Sequence, residues 1–247
     1  MGSFRAAINE GEPVAWQLLN GAFAKCPQGM GPLAAADTAA YERWCYDDRA
    51  PKPPILLGGF LERFTSTSPS ALLLAWLPAI AVLASAGAAT AACAAAFALG
   101  VVLWSLLEYA THRALFHMRP STNLGVAVHF LIHGVHHRHP MDPGRLIFPP
   151  TLGLAVAALL YALMRCAQLP HALACLATSG AASGYVVYDL SHYAIHHSAF
   201  SNALFQRLQS AHKAHHIAHN HTYGVSLLGA PWDYVFGSRA PTKPSAD

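Results

Sequence analysis

Charged side chains are scarce in this 247-residue chain: Asp, Glu, Lys and Arg make up 11% of it, whereas 54% of the residues are hydrophobic. A soluble domain carries about 25% charged residues, so the composition excludes a disordered chain and points to a membrane protein. The net charge is +3, which is too small to indicate a nucleic-acid partner. We therefore expect a membrane protein that does not bind nucleic acid.

Paired cysteines and a cleavable signal are also lacking. The five cysteines form no CxxC pair, and three of them lie in apolar runs, so a reducing compartment without disulfides is expected. The first 50 residues mix charge, Gly and Pro and contain no apolar core of the length that a signal peptide needs. We interpret residues 1–63 as a cytosolic N-terminal segment that packs loosely on the rest.

Three stretches without charge are long enough to form transmembrane helices, since one span needs about 20 apolar residues. Residues 64–107 contain no Asp, Glu, Lys or Arg, which is enough chain for two helices around a turn at residues 85–88. Residues 146–164 and 166–188 also lack charge, and Pro170 marks the turn between them. The pattern predicts two helical hairpins, at about residues 68–110 and 148–190.

Two hairpins return the chain to the side on which it starts. Both termini and the segments 112–145 and 191–237 would then share one face, which carries all but one (Arg165) of the fifteen Lys and Arg residues. Because positive residues concentrate in cytosolic loops, we expect this face to be cytosolic. The predicted domains are the N-terminal segment, 1–63, and a membrane domain, 64–247.

Carboxylates are nearly absent from the part of the chain that is richest in histidine. All sixteen histidines lie between His112 and His221, a region whose acids are Asp142 and Asp189. Soluble four-helix di-iron proteins take most of their ligands from Glu. A metal centre here would instead be built from imidazole, which suits iron, zinc and copper.

Ten of the histidines form four spaced motifs, one HxxxxH, one HxxxH and two HxxHH. Spacings of three or four residues put two imidazoles on one helical face within reach of one ion, and ten ring nitrogens are enough for two ions. The predicted ligands are His112, His117, His133, His136, His137, His192, His196, His212, His215 and His216. The register of the last motif stays open, because His216 and His219 form another HxxH.

Acidic and aromatic residues precede two of these histidines. Glu108 lies four residues before His112 and Asp189 lies three before His192, so each could hold an imidazole in place or simply mark the end of a span. Candidate substrate-lining residues on the face of His192 are Tyr185 and Tyr188, although tyrosines also gather at membrane interfaces. These features predict an all-α membrane protein with four transmembrane helices and a cytosolic helical cap that holds a histidine-rich dimetal centre.

Several segments resemble the fatty acid 2-hydroxylase family. They are residues 104–117, the stretch 129–142 with HGVHHRHPMD, the continuation RLIFPPT at 145–151, and residues 184–197. HGxHH followed by PMD and RLxFPP is far more specific than the histidine motifs alone. The likeness covers roughly residues 104–236.

The resemblance implies an endoplasmic reticulum enzyme with four transmembrane helices and a cytosolic centre of two iron ions, sites that zinc readily occupies in purified protein. It implies hydroxylation of the alpha (2-) carbon of long or very long chain fatty acyl groups, typically of ceramide, with the same ten histidines as ligands. The His-Pro-Gly-Gly haem motif is absent, so the chain looks like the short plant-type form, which takes electrons from a separate cytochrome b5 and its reductase.

Two alternatives remain open. One is a sterol or carotenoid hydroxylase of the same superfamily, which the ending at residues 216–226 favours. The other is a non-enzymatic zinc-binding membrane protein, which would place ionisable residues inside its spans; the predicted spans contain none except His171, near a turn.

Overall fold

The computed structural model describes residues 8–9, 12–24, 32–47, 54–218 and 222–239. Within these ranges the regular elements are helices, and two isolated bridges take the place of strands, which confirms the all-α prediction. The helices are α1 (Val14–Leu19), α2 (Thr38–Cys45), α3 (Pro69–Ala84), α4 (Ala91–Thr111), α5 (Asn123–His129), α6 (Val135–Arg138), α7 (Pro150–Cys166), α8 (His171–His197), α9 (Ala203–Ala218) and α10 (Ala230–Val235). Short π-helical turns, His112–Phe116 and Phe130–Gly134, follow α4 and α5.

The chain divides into two compact units. The first unit comprises Met1–Ser66 and Arg113–Leu146, and the second comprises Thr67–His112 and Ile147–Asp247. The first unit thus combines the N-terminal segment with a later part of the chain, and the predicted domain boundary between residues 63 and 64 stays a prediction. The two units are described separately below.

The N-terminal helices contribute to the core of the first unit. Val14 and Leu18 of α1 and Tyr41 of α2 are at most 1% exposed, and they belong to one apolar cluster with Val126 and Phe130. The described part of this segment is therefore packed more tightly than expected at these side chains, whereas Trp16 and Leu33 are 51% and 80% exposed.

The second unit contains the two helical pairs at the predicted positions. Side-chain caps start the first pair: Ser68 accepts the amide of Ala71 at α3, and Thr90 accepts the amide of Cys93 at α4. The helix Ala91–Phe116 is 26 residues long with a mean hydropathy of 1.9 in its most apolar stretch, which is enough to cross a membrane. The apolar helices α3 and α7 have 16 and 17 residues, somewhat fewer than a perpendicular span needs.

Helices α4 and α8 approach each other closely at two glycines. A Cβ atom on Gly100 would lie 2.0 Å from the carbonyl oxygen of Ala177, and one on Gly180 would lie 2.0 Å from that of Phe97. Small residues of this kind let helix backbones meet in an apolar environment. The contact fixes α8, which carries His192 and His196 at its C-terminal end.

Candidate metal centre

Four imidazoles of the second unit meet at the Nε2 atom of His212. This atom, on α9, lies 3.1 Å from Nε2 of His192, 2.8 Å from Nε2 of His196 and 3.1 Å from Nε2 of His216. The first two partners come from α8, where the HxxxH spacing places both rings on one face. The fourth ring follows one turn after His212 on α9. Two spaced motifs that are distant in the sequence therefore converge.

Hydrogen bonding alone does not explain this convergence, because one ring nitrogen carries at most one proton. Ligands bound to one ion at about 2.1 Å, in contrast, lie about 3 Å apart when they are at right angles. Burial lowers the pKa of His212 well below its usual value, and the neighbouring imidazoles lower it further. The ring of His212 is thus held neutral, which is the form that binds a metal. This donor set fits a metal ion.

The other two predicted ligands of the second unit, His112 and His215, face each other with ring centroids 4.8 Å apart. The Nδ1 atom of His112 lies 2.5 Å from the carbonyl oxygen of Tyr223. Because a carbonyl only accepts, Nδ1 carries the proton and Nε2 keeps its lone pair for a ligand. Both histidines are at most 1% exposed.

Two carboxylates hold the segment that contains this carbonyl. Asp233 accepts the amides of Tyr223 and Gly224, each at 2.8 Å, and the hydroxyl of Ser238 at 2.6 Å. Glu108 accepts the hydroxyl of Ser226 at 2.8 Å and the amide of the same residue at 3.2 Å. The carboxylates therefore act on the backbone and not on an imidazole.

The first unit contains four predicted ligands, three of which have their Nε2 atoms close together. Nε2 of His133 lies 3.2 Å from Nε2 of His117 and 3.0 Å from Nε2 of His137, and the ring of His136 is 5.6 Å from that of His133. The π-helical turn Phe130–Gly134 contains His133 and precedes His136 and His137. All ten predicted ligands thus belong to histidine clusters, four in the first unit and six in the second.

The remaining histidines have other surroundings. Nδ1 of His129 shares a 2.6 Å hydrogen bond with the hydroxyl of Tyr41, and His171 bonds to the hydroxyl of Tyr161 at 3.0 Å. The ring of His197 packs on Tyr193. His219 and His221 lie outside the described residues, so the alternative register of the last motif stays open.

The acids behave differently from the expectation that they orient imidazoles directly. Glu108 binds the segment after Tyr223, and the carbonyl of that tyrosine takes the predicted place of Glu108 beside His112. Asp189 is fully buried in α8, and the groups that interact with its carboxylate include the hydroxyl of Tyr185 and the backbone of Phe148. The role of Asp233 was not predicted from the sequence. The sequence feature that could have indicated it is an isolated acidic residue, next to Trp232, in an otherwise apolar C-terminal stretch.

Both candidate substrate-lining tyrosines are buried in α8. The ring of Tyr188 stacks on that of His192 with centroids 5.9 Å apart. The hydroxyl of Tyr185 donates to the carbonyl of Phe148 at 2.8 Å. Tyr188 therefore contacts a predicted ligand directly, and Tyr185 lies one turn further along the helix.

Comparison with known proteins gives a consistent result. Residues 97–238 match the family model described as fatty acid hydroxylase. The chain is 36% identical to dihydroceramide fatty acyl 2-hydroxylase FAH2 of Arabidopsis thaliana, over 78% of this chain and 83% of the relative. It is 36% identical to ceramide very long chain fatty acid hydroxylase scs7 of Schizosaccharomyces pombe, over 75% of this chain and 55% of that protein.

A solved structure is similar as well. The structure of full-length scs7p, in which only the hydroxylase domain is visible, superimposes with a TM-score of 0.77 at 33% identity, covering 94% of this chain and 87% of that one. Against human fatty acid 2-hydroxylase the chain spans 40% of the relative's length, at 39% identity over 60% of this chain.

Proposed function

Because this chain belongs to the fatty acid hydroxylase family, we propose that it hydroxylates the alpha carbon of long or very long chain fatty acyl groups, including those of ceramide. The convergence of imidazole Nε2 atoms on His212 carries this proposal, since it provides a buried site for a metal without carboxylate ligands. We propose dioxygen as the oxidant and a separate cytochrome b5 with its reductase as the electron source.

The proposed centre contains two iron ions, whose ligands are the ten histidines of the two clusters. Bound to imidazole, such ions supply the activation of dioxygen and the oxidation of a C–H bond. The chain itself supplies neutral imidazoles, because burial keeps rings such as His212 unprotonated. The carbonyl of Tyr223 fixes the tautomer of His112, so that the ligand nitrogen is ready before a metal binds.

The substrate would reach this centre along α8. Tyr188, which is 9% exposed, packs against His192 and would lie beside the acyl group next to the metals. Tyr185 contributes an apolar ring, since its hydroxyl is already bonded to Phe148. These side chains position one C–H bond and exclude water, which is the protein's share of such a reaction.

The apolar helices support a membrane location. We propose that α3, α4, α7 and α8 are four transmembrane helices in the endoplasmic reticulum, with both termini and the histidine clusters on the cytosolic side. The helix Ala91–Phe116 supports this, because its length and hydropathy suit a span. The bias of Lys and Arg to one face supports the orientation.

Lipid analysis of cells that lack their own 2-hydroxylase tests the proposal. Cells that express the chain should accumulate 2-hydroxy acyl chains, and cells that express His212→Ala should not. His171→Ala is the matched control and should behave as wild type, because that side chain bonds to Tyr161 outside the clusters. Formation of hydroxylated sterols or carotenoids without 2-hydroxy acyl chains would contradict the proposed substrate. Bound zinc without oxygen consumption would contradict the proposal that the protein is an enzyme.

A further inference from the structure

An apolar cavity of about 50 Å³ lies in the second unit between α3, α4, α7 and α8. Its wall includes Trp76, Trp104, Phe148, Ala157, Leu160 and Tyr185. The hydroxyl-bearing residues of the wall are bonded within the protein: Thr178 donates to the carbonyl of Ala174 at 2.8 Å, and Tyr185 donates to that of Phe148 at 2.8 Å. Aromatic and aliphatic carbon therefore dominates the lining, which suits a hydrocarbon ligand.

The cavity and the histidines share one face of α8. Thr178, Ala182 and Tyr185 line the cavity, and the same alternation of four and three residues continues to His192 and His196. At 1.5 Å per residue, His192 lies about 10 Å beyond Tyr185 and about 21 Å beyond Thr178 along the helix axis. A long acyl chain laid along this face would reach from the histidines into the cavity.

Helix α7 forms one side of the cavity, and it is the least buried helix of the wall. None of its residues is buried, and Leu159, next to the cavity residue Leu160, is 58% exposed. A chain of methylene groups could therefore enter beside α7 without the opening of a packed core.

We propose that this cavity binds the methylene chain of the acyl substrate and so selects its length. The inference rests on the proposed function and adds a subsite to it. Acyl groups too short to pass Tyr185 would not occupy the cavity, whereas long chains would gain apolar contact there. Filling the cavity should therefore discriminate against long chains and leave short ones unaffected.

The test uses two adjacent alanines of α7 in the full-length protein. Ala157→Phe fills the cavity, whereas Ala158→Phe is the matched control, because Ala158 is exposed. In Ala157→Phe we expect the ratio of very long to medium-chain 2-hydroxy products to fall about tenfold, the effect of excluding about two methylene groups from an apolar site. An unchanged ratio, or an equal fall in Ala158→Phe, would overturn the proposal.

A second pair of variants enlarges the cavity and covers the case in which Ala157→Phe does not fold. Leu160→Ala should shift the products towards longer chains, and Leu159→Ala should leave them as in wild type. No difference within this pair would also overturn the proposal.

Labelling separates failure of the subsite from failure of the proposed function. A fatty acid with a diazirine at its terminal carbon should label α7 or residues 171–185 in wild type and in Ala158→Phe, and label them less in Ala157→Phe. If wild type makes no 2-hydroxy acyl product, the proposed function is wrong, and this labelling still decides the subsite. Labelling confined to other parts of the chain overturns it.

Discussion

Replacing Asp233 with Asn should loosen the segment that orients His112 and lower the metal content of the protein. The carboxylate accepts the amides of Tyr223 and Gly224 at 2.8 Å and the hydroxyl of Ser238 at 2.6 Å. The carbonyl oxygen of Tyr223, in turn, accepts a hydrogen bond of 2.5 Å from Nδ1 of His112. Asp233 is thus connected to a predicted ligand through two successive hydrogen bonds.

The magnitude follows from what Asn can and cannot replace. Both carboxylate oxygens of Asp233 accept hydrogen bonds. In Asn only the amide oxygen can accept, and its NH₂ group would face an N–H or O–H donor and leave that donor without a partner. A buried donor left without a partner destabilises the fold by about 1–3 kcal/mol, and Asp233 is 2% exposed. Loss of an outer hydrogen bond to a metal-binding histidine typically lowers metal affinity or activity by about 10–100-fold. We expect an effect in this range for Asp233→Asn.

The assay measures bound iron and the spectrum of the cobalt-substituted protein, together with the thermal unfolding of the metal-free form. Asp37→Asn is the control: Asp37 caps α2 by accepting the amide of Ala40, a role that Asn fills equally well. Reduced metal affinity and an altered cobalt spectrum in a folded Asp233→Asn protein would support the reasoning. Wild-type metal affinity and spectrum would refute it, whatever the change in unfolding temperature.

Three further predictions concern stability and bound metal. Burial lowers the pKa of His129 to about 4, so the unfolded chain takes up this proton first. As the pH falls from 6.5 to 4, this histidine alone should destabilise the metal-free protein by up to about 3 kcal/mol, and His129→Gln should remove that part of the pH dependence in chemical unfolding. Gly180→Leu should destabilise the protein by several times the effect of the exposed Ala98→Leu, because its Cβ would meet a carbonyl at 2.0 Å; equal unfolding temperatures would contradict the close approach. Chelation should lower the unfolding temperature of the wild type more than that of His212→Ala, and equal shifts would argue against metal binding at His212.

The positions of the helices agree with the prediction from the sequence, whereas the ten ligands stay a prediction; both rest on local patterns. The runs without charge placed α3, α4, α7 and α8 within a few residues, and the three- and four-residue spacings selected the histidines that cluster. Helix periodicity alone determines which side chains share a face, so neither prediction needed tertiary information.

The partners of these residues could not be predicted, because they depend on contacts between distant segments. Tyr223 lies 111 positions after His112, and Tyr41 lies 88 positions before His129. The expectation that Glu108 orients His112 used a correct spacing within one helix. It failed because the buried carboxylate accepts hydrogen bonds from the backbone amides of Val225 and Ser226, and buried donors and acceptors pair with the groups that the fold brings to them.

The scarcity of acids around the histidines bears on the chemistry of the candidate metal centre. In many metal sites a carboxylate bonds directly to the outer nitrogen of a histidine and makes that ligand more basic. Here a neutral carbonyl takes this position at His112, and the two acids behind it, Glu108 and Asp233, are occupied by backbone amides. The imidazole is therefore oriented without added negative charge. Metal ions bound here would keep more of their positive charge, which would favour the electron uptake that the proposed function requires.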